Sequence, residues 1–244
     1  MRILVVSDIH SNLEALTAVV EDAGRDGDIG ELWCLGDTVG YGPDPGECLR
    51  LVREFPSYVC IAGNHDLAAI GKMGTEEFNY AAAHAAHWTA AQLSSEEAGF
   101  LGDLPLVVGI GKFTLVHGSL RSPVWEYLMS AEAAGATFQR MTTPYCLVGH
   151  SHIPFLCVEG GERGGFAPFP LDTKVGLGED RLIINPGGVG QPRDGDPRPS
   201  YVIYDSEAES VERRRVAYDI SATQEKMRRA GLPAPLVDRL EHGR

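Results

Sequence analysis

Positive charge is scarce in this chain. Its 244 residues carry 21 Lys and Arg against 34 Asp and Glu, a formal net charge of −13. Non-specific binding to nucleic acid draws its affinity from Lys and Arg contacts to phosphate, so that class of partner is not expected. A small phosphate-bearing substrate stays open, because a pair of divalent cations reverses the potential locally whatever the global charge. Long apolar runs are lacking too. None reaches the roughly 20 residues that a membrane-spanning helix needs, and no membrane partner is expected. The opening stretch Met1–Val6 is too short for a signal segment and no small-residue cleavage site follows it, so it reads as a first strand and the chain as cytoplasmic. Cysteine is sparse and unpaired in pattern: Cys34, Cys48, Cys60, Cys146 and Cys157 form no C-x-x-C. They read as buried free thiols, and an odd count fits a reducing compartment.

What is present is a chain long enough for one large α/β core, with an ordinary 43% hydrophobic content. No repeat, heptad or linker divides it, so residues 1–244 read as a single domain. The N-terminal half alternates strand and helix. Arg2–Val6, Glu31–Leu35 and Tyr58–Ala62 read as strands. Ser11 and Glu14 form a capping-box pattern ahead of helically spaced Leu13, Leu16, Val19 and Val20, and Pro43 is expected to open a second helix. This alternation predicts a mainly parallel sheet with helices on its faces. A helix from Thr75 to about Leu93 and a capping box at Ser94–Glu97 follow, then a hairpin from Leu106 to Val116, a helix from Ser130 to Arg140 and a strand at Tyr145–Val148. The last third is β-rich and the tail from Ser221 helical. The Gly-rich stretch Gly160–Gly178 reads as a loop.

Five clusters carry the chemistry: Asp8-Ile9-His10, Gly36-Asp37, Gly63-Asn64-His65-Asp66, Val116-His117-Gly118 and Gly149-His150-Ser151-His152. Each follows an apolar run that reads as a strand, and open α/β sheets bind ligands outside the carboxyl ends of their strands. Asp8 and His10, two apart on extended chain, project to one side and can grip one ion. Asp37 can bridge two ions with its two oxygens. Asn64 offers a neutral oxygen, His65 is a candidate general acid, and Asp66 is expected to hydrogen-bond and orient His65. His117, His150 and His152 supply nitrogen ligands. Taken singly, Asp37 reads as a turn residue, His117 as structural and Asp8 with His10 as a helix cap. Taken together, five strand ends each closing on a ligand-type residue point to a two-metal hydrolytic centre.

That series resembles the calcineurin-like metallophosphoesterase superfamily from the first strand through His152. Asn185–Arg193 and Gly40-Tyr41-Gly42-Pro43 resemble its small bacterial and archaeal phosphodiesterase branch. The resemblance implies an αββα sandwich of two mixed sheets flanked by helices. It implies one metal on Asp8, His10, Asp37 and His152 and a second on Asp37, Asn64, His117 and His150. The ions would be Mn, Fe, Zn, Ni or Co, a set the mixed O and N ligands suit. A hydroxide bridging them would attack a phosphate ester in line, with His65 protonating the leaving oxygen. The implied activity is that of a phosphodiesterase or phosphatase on a small phosphate ester or nucleotide. A phosphoprotein phosphatase, a dinucleoside polyphosphate hydrolase and a metal-binding scaffold without turnover are the alternatives.

Outside the five clusters, Arg193 and Tyr41 are candidate substrate-binding residues, with Arg193 equally able to pair with Asp194 or Asp196. Asn185 reads as a turn, His84 and His87 as an ordinary helix surface, and Arg213-Arg214-Arg215 as a solvated edge strand. The sequence sets no oligomeric state.

Overall fold

The computed structural model describes residues 1–244, apart from the side chain of Arg163. In chain order its first half runs β1 (Arg2–Val6), α1 (Leu13–Gly24), β2 (Glu31–Cys34), α2 (Pro45–Arg53), β3 (Tyr58–Cys60), α3 (Asn64–Ala69), α4 (Tyr80–Gln92) and α5 (Ser95–Asp103). The second half runs β4 (Val107–Ile110), β5 (Phe113–Val116), α6 (Ala131–Phe138), β6 (Tyr145–Leu147), β7 (Phe155–Val158), β8 (Phe166–Pro168), β9 (Lys174–Gly176), β10 (Leu182–Asn185), β11 (Ser200–Asp205), β12 (Ser210–Arg215), α7 (Ile220–Arg229) and α8 (Ala234–Asp238).

The strands form two six-stranded sheets, ordered β3-β2-β1-β11-β12-β9 and β4-β5-β6-β10-β7-β8. Both are mixed. β1, β2 and β3 run parallel, as do β5, β6 and β10, while their outer neighbours are antiparallel. This is the sandwich expected. β1 is apolar from Ile3 to Val6 because both of its faces are covered there. Ile3 and Val5 face the second sheet through Trp33, Leu35, Phe113, Leu115 and Tyr145. Leu4 and Val6 face Leu16, Val19, Cys48 and Val52 of α1 and α2. In the second sheet Cys146 and Ile183 take the helix side against Phe138 of α6. All five cysteines are buried and free.

Several local expectations are corrected. Asn12, not Ser11, caps α1, its side chain accepting from Ala15 N–H at 3.1 Å. Ser11 is held at φ 52° and its hydroxyl has no hydrogen-bond partner. Glu14 turns instead to Thr223 and Lys226 of α7. The second helix begins at Pro45, past Pro43, and α4 begins after its cap Asn79 rather than at Thr75. Asn64–Ala69, to which the sequence assigns no element, is a helix. The Gly160–Gly178 stretch holds two short strands, β8 and β9. β12 is no edge: it lies between β11 and β9, and Arg215 is buried against Asp194 and Asp196. The Ser94 capping box and the hairpin around Gly111 stand where expected.

Candidate metal centre

The parallel strands of both sheets end at one place, and backbone hydrogen bonds sew their exits together. Asp8 N–H donates to Gly36 O, His10 N–H to Asp37 O, Gly149 N–H to His117 O and Gly190 N–H to Asp8 O, all at 2.8–3.1 Å. The exits are tight. An added Cβ on Gly63 would lie 2.0 Å from Asp37 Oδ1, and one on Gly149 the same distance from Ser7 Oγ. Only glycine lets these loops approach so closely.

Among the described residues, nine that are not glycine have positive φ. Seven of them are Asp8, His10, Ser11, Asp37, Tyr41, His150 and His152, in or beside this one place. Such conformations cost on the order of 1 kcal/mol or more each and persist where the surroundings impose them.

Asp8, His10 and His152 form one group of converging ligand atoms, and Asp37, His117 and His150 a second; each could hold a metal ion. Asp8 Oδ1 lies 3.9 Å from His10 Nε2 and 3.3 Å from His152 Nε2. Asp37 Oδ2 stands between the groups, 3.7 Å from His10 Nε2 and 3.3 Å from His117 Nε2. Asn64 Oδ1 is 3.2 Å from His117 Nε2. Ligand atoms bound to one ion at 2.0–2.2 Å sit about 3.0–3.5 Å apart, so the spacing fits.

The hydrogen-bond pattern fixes what these atoms offer. Carbonyl oxygens only accept, so each imidazole nitrogen facing one carries the proton. His10 Nδ1 faces Val39 O at 3.2 Å, His117 Nδ1 faces Leu35 O at 2.8 Å and His152 Nδ1 faces Gln191 O. Their Nε2 lone pairs therefore point inward. His150 is reversed: its Nε2 donates to Trp125 O at 3.2 Å, which leaves Nδ1 free. Asp8 Oδ2 accepts from Ser7 Oγ and His150 N–H, while the buried Asp8 Oδ1 has no hydrogen-bond partner. Ligand-type oxygens and nitrogens thus converge from seven side chains, and one of them, the buried Asp8 Oδ1, has no hydrogen-bond partner, an arrangement that a cation satisfies.

The charges agree. Burial lifts the Asp8 carboxyl to about 6, with Asp37 adding to the rise and His117 opposing it. Burial also opposes the Asp37 charge, but His117 and His65 outweigh it and hold that carboxyl well below the usual range. Burial keeps His10 and His152 neutral and takes His150 down to about 3. His117 is the exception. Burial opposes its charge, yet Asp37 lifts it to about 10, so positive charge is demanded where His117, Asp37 and Asn64 meet.

His65 lies beside these groups but outside them. Its N–H donates to Asp37 Oδ1 at 2.8 Å, and its ring stands edge-on to His10 at 4.9 Å. Burial lowers it to about 4, and its Nδ1 has no partner. The expected Asp66 contact to this ring is not made. Asp66 is the third residue of α3, so its carboxylate turns back to the N–H groups of Gly63 and Val39, both at 3.0 Å. Burial, with Asp37 second, nevertheless lifts Asp66 to about 7. Tyr41 packs against both His10 and His65, centroids 4.4 and 4.3 Å away. Arg193 lies over the Tyr41 ring at 5.9 Å, its Nε buried without a partner. Asp194 and Asp196 pair with Arg215 and Arg198 instead, which leaves Arg193 facing the site.

Sequence reasoning missed the supports. The carbonyls of Leu35, Val39, Trp125 and Gln191 carry no side-chain signal. Asn185, read as a turn, is fully buried and donates to Gly149 O and Ser151 Oγ, bracing the histidine loop. Tyr127 stacks flat on His150, and no local pattern in the sequence announces it.

A model of the calcineurin-like phosphoesterase superfamily domain matches residues 1–209. The chain belongs to that superfamily. This phosphoesterase is 45% identical to a metallophosphoesterase from Sphaerobacter thermophilus of known structure, which superposes with a TM-score of 0.90 over 100% of this chain and 99% of that one. It is 40% identical to an uncharacterized protein of Methanocaldococcus jannaschii over 99% of this chain and 98% of the other. A more distant relative, the symmetrical bis(5′-nucleosyl)-tetraphosphatase of Aromatoleum aromaticum, is 32% identical over 58% of this chain and 56% of its own length. The superfamily uses two divalent metal ions, and the two groups here fit that requirement, with Asp37 positioned to serve both. The protein is thus a metal-dependent hydrolase of phosphoric esters. Among the described residues no helix is long and apolar enough to cross a membrane.

Proposed function

We propose that the protein is a phosphodiesterase acting on nucleotide-type esters. Asp8, His10, Asp37 and His152 would hold one ion, and Asp37, Asn64, His117 and His150 the other. The observation that carries the reading is the convergence of the ligand atoms of these seven side chains, with the buried Asp8 Oδ1 unpartnered and Asp37 Oδ2 between the two groups. When bound, two ions there supply an acidified water as nucleophile and offset charge on the phosphate. The chain's own residues do the rest. Ser7 and the His150 N–H fix the rotamer of Asp8. Four backbone carbonyls hold the imidazoles in their ligating tautomers. Arg193, free of any carboxylate, binds a phosphate oxygen, and Tyr41 braces it. His65, kept neutral by burial, donates a hydrogen bond from its ring N–H to the leaving oxygen as charge builds there, from its position against His10 and with its backbone tied to Asp37 rather than its ring to Asp66.

The likeness to the nucleosyl-tetraphosphatase supports a nucleotide substrate, and the five buried thiols support a reducing, cytoplasmic setting. The test is hydrolysis of bis-p-nitrophenyl phosphate and a panel of nucleotide esters, with metal content measured on the same sample. Turnover that requires Mn²⁺ or a similar ion and stops with chelator is expected. A fully loaded protein inert across the panel would leave the scaffold alternative standing.

A further inference from the structure

The loop between β5 and α6 brings a large aromatic side chain to the ion site and leaves it half bare. Tyr127 is 50% exposed, yet its ring lies on the His150 imidazole with centroids 4.0 Å apart and planes 20° from parallel. Scattered exposed aromatics are ordinary on protein surfaces. This one differs in having one face seated on a candidate metal ligand and the rest open to solvent. Its neighbour in the loop, Trp125, gives its carbonyl to His150 and its ring to Phe78 at 5.5 Å, and Phe78 in turn lies 4.7 Å from His65. Aromatic rings therefore border the site on both its His150 and its His65 sides.

The loop is also held in shape. Gly118 N–H donates to Pro123 O, Ser119 Oγ to the Glu126 carboxylate, and Arg121 clamps Glu126 and Glu132. A ring fixed in this way loses little freedom when a second planar group lies on it.

We propose that Tyr127 is a base-stacking residue, selecting phosphodiesters that carry a nucleoside on the scissile phosphate over those carrying a small alkyl group. The proposal rests on the phosphodiesterase reading above and adds the group that the site recognises. An ester whose phosphorus reaches the Asp37 region must pass its substituent beside the His150–Tyr127 stack. A nucleobase covers the open face of Tyr127; an ethyl group does not. Stacking of one base on one aromatic ring is worth about tenfold to a hundredfold in binding.

Two substrates with the same leaving group isolate this contact: thymidine 5′-(p-nitrophenyl phosphate) and ethyl p-nitrophenyl phosphate. The wild type is expected to favour the thymidine ester in kcat/KM. Tyr127→Leu, which still covers His150 with apolar atoms, should cut that preference by about tenfold to a hundredfold, and Tyr127→Trp should keep it. Metal content is measured on each variant. An unchanged preference in a Tyr127→Leu protein that holds both ions overturns the proposal. Because Tyr127 touches a candidate ligand, a second readout uses the unaltered protein. 2-Aminopurine deoxyriboside 5′-monophosphate should lose fluorescence on binding, as stacking requires, and binding without quenching also overturns it. A loaded wild type that cleaves neither ester refutes the phosphodiesterase reading instead, while the quenching arm still reports on Tyr127.

Discussion

Replacing Gly63 by alanine adds one methyl group and aims it at the carboxylate between the two ligand groups. Gly63 has φ −99° and ψ 177°, a conformation alanine adopts freely, so backbone strain contributes nothing. The whole effect is steric. The new Cβ would lie 2.0 Å from Asp37 Oδ1, 2.4 Å from Asp37 N and 2.7 Å from its Cγ. Asp37 must retreat by on the order of 1 Å to restore ordinary contact. That motion stretches the His65 N–H bond to Oδ1 and shifts Oδ2 away from His10 and His117. Overpacking of this kind costs about 1–3 kcal/mol, and at this chain length each kcal/mol lowers Tm by roughly 2–4 °C. Both ions lose a ligand's alignment at once, so affinity should fall at least ~10–100-fold, the range seen when a supporting group is lost. Calorimetric titration with Mn²⁺ and a thermal scan on the same sample measure the two effects. Gly99→Ala is the control. It lies within α5 with nothing within 4 Å of its added Cβ, and should stabilise by about 0.5–1 kcal/mol with metal binding unaltered. A Gly63→Ala protein that binds two ions as tightly as the wild type would refute the proposal that Asp37 serves both ions.

Metal loading at a hundredfold excess over Kd should stabilise the fold by about 2.7 kcal/mol per site, a Tm rise of roughly 5–10 °C that chelator reverses; an unmoved Tm would contradict the proposal that the seven converging side chains hold metal ions. His65→Ala should retain both ions yet slow diester hydrolysis by about 10²–10⁴, and full activity on esters with poor leaving groups would remove His65 from the chemistry. Arg215→Ala should cost about 1–3 kcal/mol in urea unfolding, because its buried guanidinium ties Asp194 and the carbonyls of Asp196 and Arg198; an unchanged midpoint would mean the loop after Arg193 is held otherwise.

The strand ends were legible because they combine two strong signals. Runs such as Ile3–Val6 and Cys146–Val148 are apolar on both faces, which marks buried parallel strands. A ligand-type residue then follows each run within a few positions. Hairpin and capping-box chemistry at Gly111 and Ser94 could likewise be read locally. The failures have one cause, a distant partner overriding a local rule. Ser11 has the pattern of a cap, but its N–H is drawn to Thr38 O and its backbone turned to positive φ. Asp66 has the pattern of a histidine orienter, but the helix start at Gly63 claims its carboxylate. Arg213–Arg215 alternates like a solvated edge, yet Leu171 bridges Arg213 and the carboxylates of Asp194 and Asp196 claim Arg215, while β9 pairs with Ser210–Glu212 of the same strand.

The centre itself shows why a local reading cannot go further. Asp8, His10, Asp37, His150 and His152 adopt a backbone conformation that glycine would take without strain, yet at each the side chain is needed. A sequence reader would expect glycine wherever φ is positive, and the chain does place Gly36, Gly40 and Gly187 in that region nearby. Where it places aspartate or histidine instead, it accepts on the order of 1 kcal/mol or more at each position. Hydrogen bonds between strand exits that only the assembled sandwich provides, Asp8 N–H to Gly36 O and His10 N–H to Asp37 O among them, hold those residues there. At positive φ these residues leave the extended conformation, yet the assembled exits still bring Asp8, His10 and His152 to one point and Asp37 and His150 to another. The two sheets are therefore the frame that holds five strained residues in place, and the ligand geometry follows from that frame.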